Sequence, residues 1–132
     1  MSKSNAYENL ILDHTLGGVT YTPPANIHVA LYTVSPGEDD TGTEVTGGSY
    51  ARVSTTNDAT NWPAAVDGSK QNGTEISFPT PTDSWGTVTH FGLRTAATGG
   101  TLLYYGALDT PQAIASGNIV RFPVGSLTIT ED

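Results

Sequence analysis

The chain has 132 residues, a length suited to one globular domain. Five Lys and Arg residues against thirteen Asp and Glu residues give a net charge of -8, which disfavours binding to nucleic acid and to anionic membrane surfaces. Cysteine is absent, so disulfides, thiolate metal sites and thiol nucleophiles are excluded. We therefore expect one domain, residues 1–132, stabilised by non-covalent contacts.

The first predicted element is a helix at residues 5–16. Asn5 and Glu8 have the spacing of a capping box, and a double glycine follows the segment. A helix of about three turns is marginal alone in water, so its apolar stripe is expected to dock on the sheet or on a neighbouring subunit. The residues of that stripe are Tyr7, Leu10 and Ile11.

The remainder of the chain is rich in Gly, Pro and Thr and predicts short strands separated by turns. Residues 27–33 alternate in the way that suits a strand with one buried face. Further strands are predicted at 49–55, 74–78, 87–94, 101–108, 118–122 and 126–130, with a short edge piece near 19–21. Two polar segments, 35–48 and 56–73, are predicted to be long loops. The fold class expected is all-β: an antiparallel β-sandwich of about seven to eight strands with a short N-terminal helix.

The clearest predicted hairpin joins strands 87–94 and 101–108 through Gly99-Gly100. Alternation along these strands predicts that Phe91 and Leu93 face Leu103 and Tyr105 across the pair.

No residue pattern predicts catalysis. Asp40-Thr41-Gly42 matches the tripeptide of aspartic proteases but follows loop residues and not an apolar strand. The acidic group from Glu38 to Glu44 lacks the spacing of a calcium loop. The three histidines lack a metal or catalytic spacing. We expect no enzyme activity, no cofactor and no metal.

Trp62 lies in a Pro-containing loop, where a core position is harder to explain than an exposed one. Exposed aromatic rings supply large contact areas at low entropic cost. Trp62 is therefore the aromatic residue most worth testing for a binding role.

Three runs of sequence resemble a family of small tailed-bacteriophage virion proteins. The runs are Gly42 to Arg52, Trp85 to Gly92, and Leu102 to Leu108. The resemblance spans nearly the whole chain and implies a β-sandwich virion protein without catalytic residues. Similar proteins occur as trimeric cement proteins on phage capsids and as distal modules of tail spikes.

Two roles are compatible with this resemblance. The first is a capsid decoration or cement protein, synthesised in the bacterial cytoplasm, that binds the major capsid protein on the outer head surface as a homotrimer. The alternative is a tail-fibre or tail-spike tip module that recognises a host surface receptor. Candidate interface residues are Tyr7, Leu10, Ile11, Tyr50, Arg52 and Trp62.

Overall fold

The computed structural model describes residues 2–131 and contains, within that range, one helix and ten strands. The helix, α1, is Asn5–Thr15. The strands are β1 Ser2–Lys3, β2 Asn26–Val34, β3 Thr43–Glu44, β4 Val53–Thr56, β5 Ser69–Gln71, β6 Ile76–Ser77, β7 Gly86–Arg94, β8 Leu102–Ile114, β9 Arg121–Phe122 and β10 Thr128–Thr130. The paired strands are antiparallel, so the predicted all-β antiparallel class with a short N-terminal helix is confirmed.

The main sheet has six strands in the order β1-β8-β7-β2-β3, with β4 paired to β2 beside β3. Strand β2 is central because β7 lies along one edge while β3 and β4 share the other. Its residues from Val29 to Tyr32 are buried, so both faces of β2 are covered at this point. The predicted strand at 27–33 is therefore confirmed as the centre of the fold.

Two small ribbons, β5 with β10 and β6 with β9, form a second layer against the main sheet. Apolar side chains from both layers form one hydrophobic cluster, which gives the molecule its sandwich-like arrangement. The buried members of the cluster are Ile27, Val29, Leu31, Val45, Trp62, Ile76, Phe78, Trp85, Val88, Phe91, Leu93, Leu103, Ile114, Leu127 and Ile129.

Helix α1 begins one residue earlier than the predicted capping box requires. Ser4 is the N-cap: its side-chain oxygen accepts a hydrogen bond from the Tyr7 backbone N–H at 3.1 Å. Ser4 also bonds to strand β8, its backbone N–H to the Leu103 carbonyl at 2.9 Å and its hydroxyl to the Leu102 carbonyl. The cap predicted at Asn5 is therefore wrong, because the buried Ser4 satisfies the helix start and anchors it to the sheet.

The strand boundaries differ from the prediction mainly in the loops. The 35–48 segment contains the short strand β3, and the 56–73 segment contains β5. The predicted strands at 49–55, 118–122 and 126–130 shorten to β4, β9 and β10, whereas the strand predicted at 101–108 extends to Ile114. Residues 19–21 form no strand. Turn-forming residues interrupt strand pairing at these ends. The end of each strand also depends on its pairing partner, which the alternation of residues in the sequence does not reveal.

The hairpin between β7 and β8 is confirmed, but its register differs by one residue from the prediction. Phe91 lies opposite Gly106 and Leu93 opposite Tyr104, because an irregularity after Leu93 shifts the pairing. Gly99 and Gly100, which both have positive φ, lie in the connecting turn.

Asn72 joins three separate parts of the second layer. Its side-chain nitrogen donates hydrogen bonds to the carbonyls of Thr74, Phe122 and Pro123, at 2.9, 3.3 and 3.0 Å. Its side-chain oxygen accepts one from the Leu127 N–H at 2.9 Å. The residue is 2% exposed, so these bonds satisfy a buried amide while they hold β5, β6 and the chain around β9 together.

Candidate functional site

Two arginines fix the long 35–48 loop and its neighbour to the main sheet. Arg94, at the end of β7, donates hydrogen bonds from its two terminal nitrogens to the two carboxylate oxygens of Asp40, each at 2.7 Å. It also donates to the Tyr32 hydroxyl and to the carbonyls of Gly99 and Gly100. The bonds with Asp40, against the opposing effect of burial, raise the pKa of Arg94. This side of the molecule is therefore a fixed polar network.

The second arginine network contains two of the predicted interface residues. Arg52 binds both carboxylate oxygens of Glu44, at 2.9 and 2.7 Å, and Tyr50 donates its hydroxyl proton to the same carboxylate at 2.7 Å. The Tyr50 hydroxyl also accepts a bond from the Leu31 N–H. Burial raises the pKa of Glu44, but the bonds from Arg52 and Tyr50 outweigh it, so the pKa lies below its ordinary value. Burial, reinforced by Glu44, raises the pKa of Tyr50.

These contacts show that Tyr50 and Arg52 stabilise the fold. The side chain of Arg52 is 7% exposed, and the ring of Tyr50 stacks near Phe78 and meets Trp85 edge-on. Their use as interface residues stays a prediction, and it would require a partner to contact groups that already have partners inside the molecule.

Trp62 is also buried, so the expectation that it is an exposed loop aromatic is wrong. It is 7% exposed and belongs to the hydrophobic cluster, and its ring N–H donates to the Thr55 hydroxyl at 3.2 Å. The loop folds back because the Trp62 backbone N–H bonds to the Asp58 carbonyl at 2.9 Å and Lys70 donates to the Trp62 and Pro63 carbonyls. A buried aromatic ring in a loop caps the end of the core.

A cavity of about 760 Å³ lies between the chain before β2, the 57–70 loop and the end of β10. It brings the candidate interface residues Tyr7 and Trp62 together with Tyr21 and Tyr104. Tyr7 packs edge-on against Tyr104, with ring centroids 5.2 Å apart, and tilted against Tyr21 at 5.8 Å. These aromatic contacts are the way in which α1 docks on the sheet.

One rim of this cavity is polar. Glu131 accepts a hydrogen bond from the Tyr104 hydroxyl at 2.9 Å and another from the Lys3 ammonium. Burial, followed by the bond to Glu131, raises the pKa of Tyr104. At this rim the charge of the Glu131 carboxylate is therefore balanced by the Lys3 ammonium.

The outer face of α1, the side away from Tyr7, carries two exposed leucines, Leu12 in the helix and Leu16 at its C-cap. Tyr7 and Ile11 are half-buried, and Leu10 is 41% exposed, so the predicted stripe faces the molecule only in part. Leu12 and Leu16, one turn apart on the opposite side, are 55% and 76% exposed. Their four-residue spacing was the available sequence signal.

A small cavity of about 290 Å³ adjoins this outer face. Glu8, Ile11 and Leu12 of the helix line it, together with Glu38 from the loop after β2. The Asn5 N–H binds the Glu38 carbonyl at 2.8 Å, which fixes that loop beside the helix start. We call Leu12, Leu16, Glu8 and Glu38 together the α1 surface.

Within residues 2–131, no group of three or more His, Asp or Glu side chains is placed to hold a metal ion. In the same range no helix is long and apolar enough to cross a membrane.

The comparisons with known proteins give one family. A family model described as "Podophage GP4 fiber I protein gp80" matches residues 2–130. No curated protein matches the chain.

Proposed function

Because the chain belongs to the podophage fiber I protein family, we propose that it is a subunit of a virion fibre that attaches to another virion protein through the α1 surface. Family membership makes the chain a virion structural protein of a tailed phage, which confirms the resemblance described above. Position on the tail and attachment through α1 are the proposal. The family description favours this role over capsid decoration.

The observation that carries the proposal is the exposed outer face of α1. The outer face of α1 carries two exposed leucines beside the exposed polar residues Asn9 and Asp13. Covering the leucines with another protein removes apolar area from water. The two leucines are Leu12 and Leu16, whereas Tyr7 on the other side of the helix packs on the sheet.

The internal networks suit a part that has to keep its shape outside the cell. The two arginines tie loops to strands without disulfides, through ion pairs at 2.7 Å whose arginine side chains are 7% exposed. Such charge-assisted, two-pronged contacts are stronger than neutral hydrogen bonds. A receptor role at the fibre tip is not required by these features.

The test is the position and copy number of the protein on purified virions. Gold-labelled antibody, or difference density from cryo-electron microscopy of virions with a tagged copy, is expected to lie on fibres, and quantitative mass spectrometry is expected to give tens of copies. Density spread over the head with hundreds of copies would contradict a fibre and favour the decoration role.

A second arm tests attachment through α1. A virion that carries Leu12→Gln and Leu16→Gln is expected to lose the protein, while one that carries Val124→Gln, an exposed valine near β9, is expected to retain it. Equal retention of both variants would contradict attachment through α1. The homotrimer expected from the resemblance stays a prediction, and sedimentation of the purified protein measures it directly.

A further inference from the structure

We propose that the α1 surface binds a basic, apolar segment of another virion protein, an inference that rests on the proposed function. A Lys or Arg of that segment enters the cavity between Glu8 and Glu38. Apolar residues next to it cover Leu12 and Leu16. The partner is thus defined by chemistry as a cationic amphipathic segment.

The apolar half of the surface explains why a partner binds there. Leu12 and Leu16 lie four residues apart, on the side of α1 away from the Tyr7 ring. Covering them removes apolar area from water without moving the helix, because its start is fixed by Ser4 on β8. The site is therefore formed before the partner arrives.

The charged half defines the partner. Glu8 and Glu38 line the same cavity as Leu12 and make no ion pair in the described chain. Lys3, the cation that lines this cavity, is already bound to Glu131. A Lys or Arg that enters from outside would meet two carboxylates that form no ion pair within residues 2–131.

A second copy of the chain is a poor occupant of the α1 surface, because it has few cations and these already have partners within the chain. Four of the five form ion pairs with carboxylates, and Lys70 donates to two backbone carbonyls. Two copies that met at α1 would bring Glu8, Asp13 and Glu38 of one against those of the other. With a net charge of -8 on each copy, like charges would face each other across the contact.

The experiment measures binding of the full chain to two short synthetic peptides by isothermal titration calorimetry. One peptide alternates Lys with Leu, and the other carries Glu in place of each Lys. The basic peptide is expected to bind and the acidic one is not. Equal binding of both, or of neither, would overturn the proposal.

Matched variants locate the contact. Glu8→Gln with Glu38→Gln is expected to weaken binding of the basic peptide about tenfold or more, as the loss of a charge-assisted contact predicts. Asp83→Asn with Asp109→Asn removes the same number of charges elsewhere and is expected to leave the affinity within about twofold. Similar losses in both would indicate non-specific attraction to an acidic protein and would overturn the proposal.

Two further outcomes are decisive. The double variant Leu12→Gln with Leu16→Gln is expected to bind the basic peptide more weakly, while circular dichroism shows an unchanged fold. An unchanged affinity for the peptide would overturn the proposal. If sedimentation of the unmodified chain alone shows self-association that this variant abolishes, a second copy covers α1 and the proposal fails.

The proposal and the proposed function fail separately. If the protein is labelled on fibres but does not bind the basic peptide, only the proposal of a cationic partner is contradicted. If the peptide binds at α1 but the label lies on the head, only the proposed fibre role is contradicted.

Discussion

Arg94 and Asp40 hold the loop after β2 against the end of β7 through two parallel hydrogen bonds of 2.7 Å. Asp40 has a φ of 59°, a left-handed conformation that Asp and Asn tolerate better than most residues. The same guanidinium binds the Gly99 and Gly100 carbonyls in the turn between β7 and β8. One side chain thus positions two loops.

Asp40→Asn is expected to lower the free energy of unfolding by about 1.5–3 kcal/mol, because it removes the charge that compensates Arg94 while keeping the backbone conformation. Urea unfolding followed by circular dichroism measures the change. Asp109→Asn, at an exposed position on β8, is the control and should change stability by less than about 0.5 kcal/mol. A similar effect of both substitutions would mean that the pair contributes no more than net charge does.

Asn72→Ala is expected to be among the most destabilising single substitutions, at about 3–5 kcal/mol, because it leaves carbonyls of several segments and the Leu127 N–H without a partner. Asn72→Asp should be worse, since a carboxylate oxygen would then face those carbonyls. Thermal unfolding midpoints compare the two. An Asn72→Asp protein as stable as the Ala variant would contradict the assigned orientation of the amide.

The fate of Asn72 explains what the sequence can and cannot predict. The dipeptide Asn72-Gly73 predicts a turn from local sequence alone. Local sequence also predicts the helix at 5–16 and the alternating strand around Val29. Its bonds to Phe122, Pro123 and Leu127 depend on chain segments that are far apart in sequence, and no local pattern encodes them. The same reason hid the burial of Trp62.

The candidate site follows the same division. Tyr7 was found because its spacing in the helix is local, whereas its partners Tyr21 and Tyr104 come from other segments. Glu38 reaches the helix only through the path of the loop after β2. Long-range topology therefore sets the α1 surface, and its leucines lie outside the helix stripe that the sequence predicted.

Stability is expected to fall on acidification in two steps. Burial lowers the pKa of His28 and of His90 below the ordinary value of 6.5, so the folded state favours the neutral rings. The unfolded chain takes up protons first, and the stability present above pH 6.5 declines as the pH falls below it. Glu44, whose pKa is below its ordinary value of 4.5, adds a second loss as the pH falls below that value.

Urea midpoints measured from pH 8 to pH 3 separate the two steps. His28→Val should flatten the first step, because it removes a titrating ring whose buried Nδ1 has no hydrogen-bond partner within residues 2–131. Glu44→Gln should flatten the second while lowering stability at pH 7. A pH profile unchanged by His28→Val would rule out a contribution from this ring.

Trp62→Phe is expected to cost about 1–2 kcal/mol, because the smaller ring leaves a gap and loses the bond to Thr55, and Trp62→Ala should cost about 3–5 kcal/mol. Guanidinium unfolding followed by far-ultraviolet circular dichroism measures both without relying on the replaced fluorophore. If Trp62→Ala keeps wild-type stability, Trp62 is not part of the core that closes the 57–70 loop. Leu16→Ala, at a residue 76% exposed, provides the surface comparison and should cost less than about 0.5 kcal/mol.

The contact between the Lys3 ammonium and the Glu131 carboxylate places the two ends of the described chain side by side. A short flexible linker could therefore join them, and new ends could be opened between Gly17 and Gly18, which are exposed and lie just beyond α1. Such a circular permutant would carry the helix at its carboxyl end, where a sequence fused after it would project from the α1 surface. A circular permutant of this protein is thus suited as a scaffold for tandem repeats or for display of a foreign peptide.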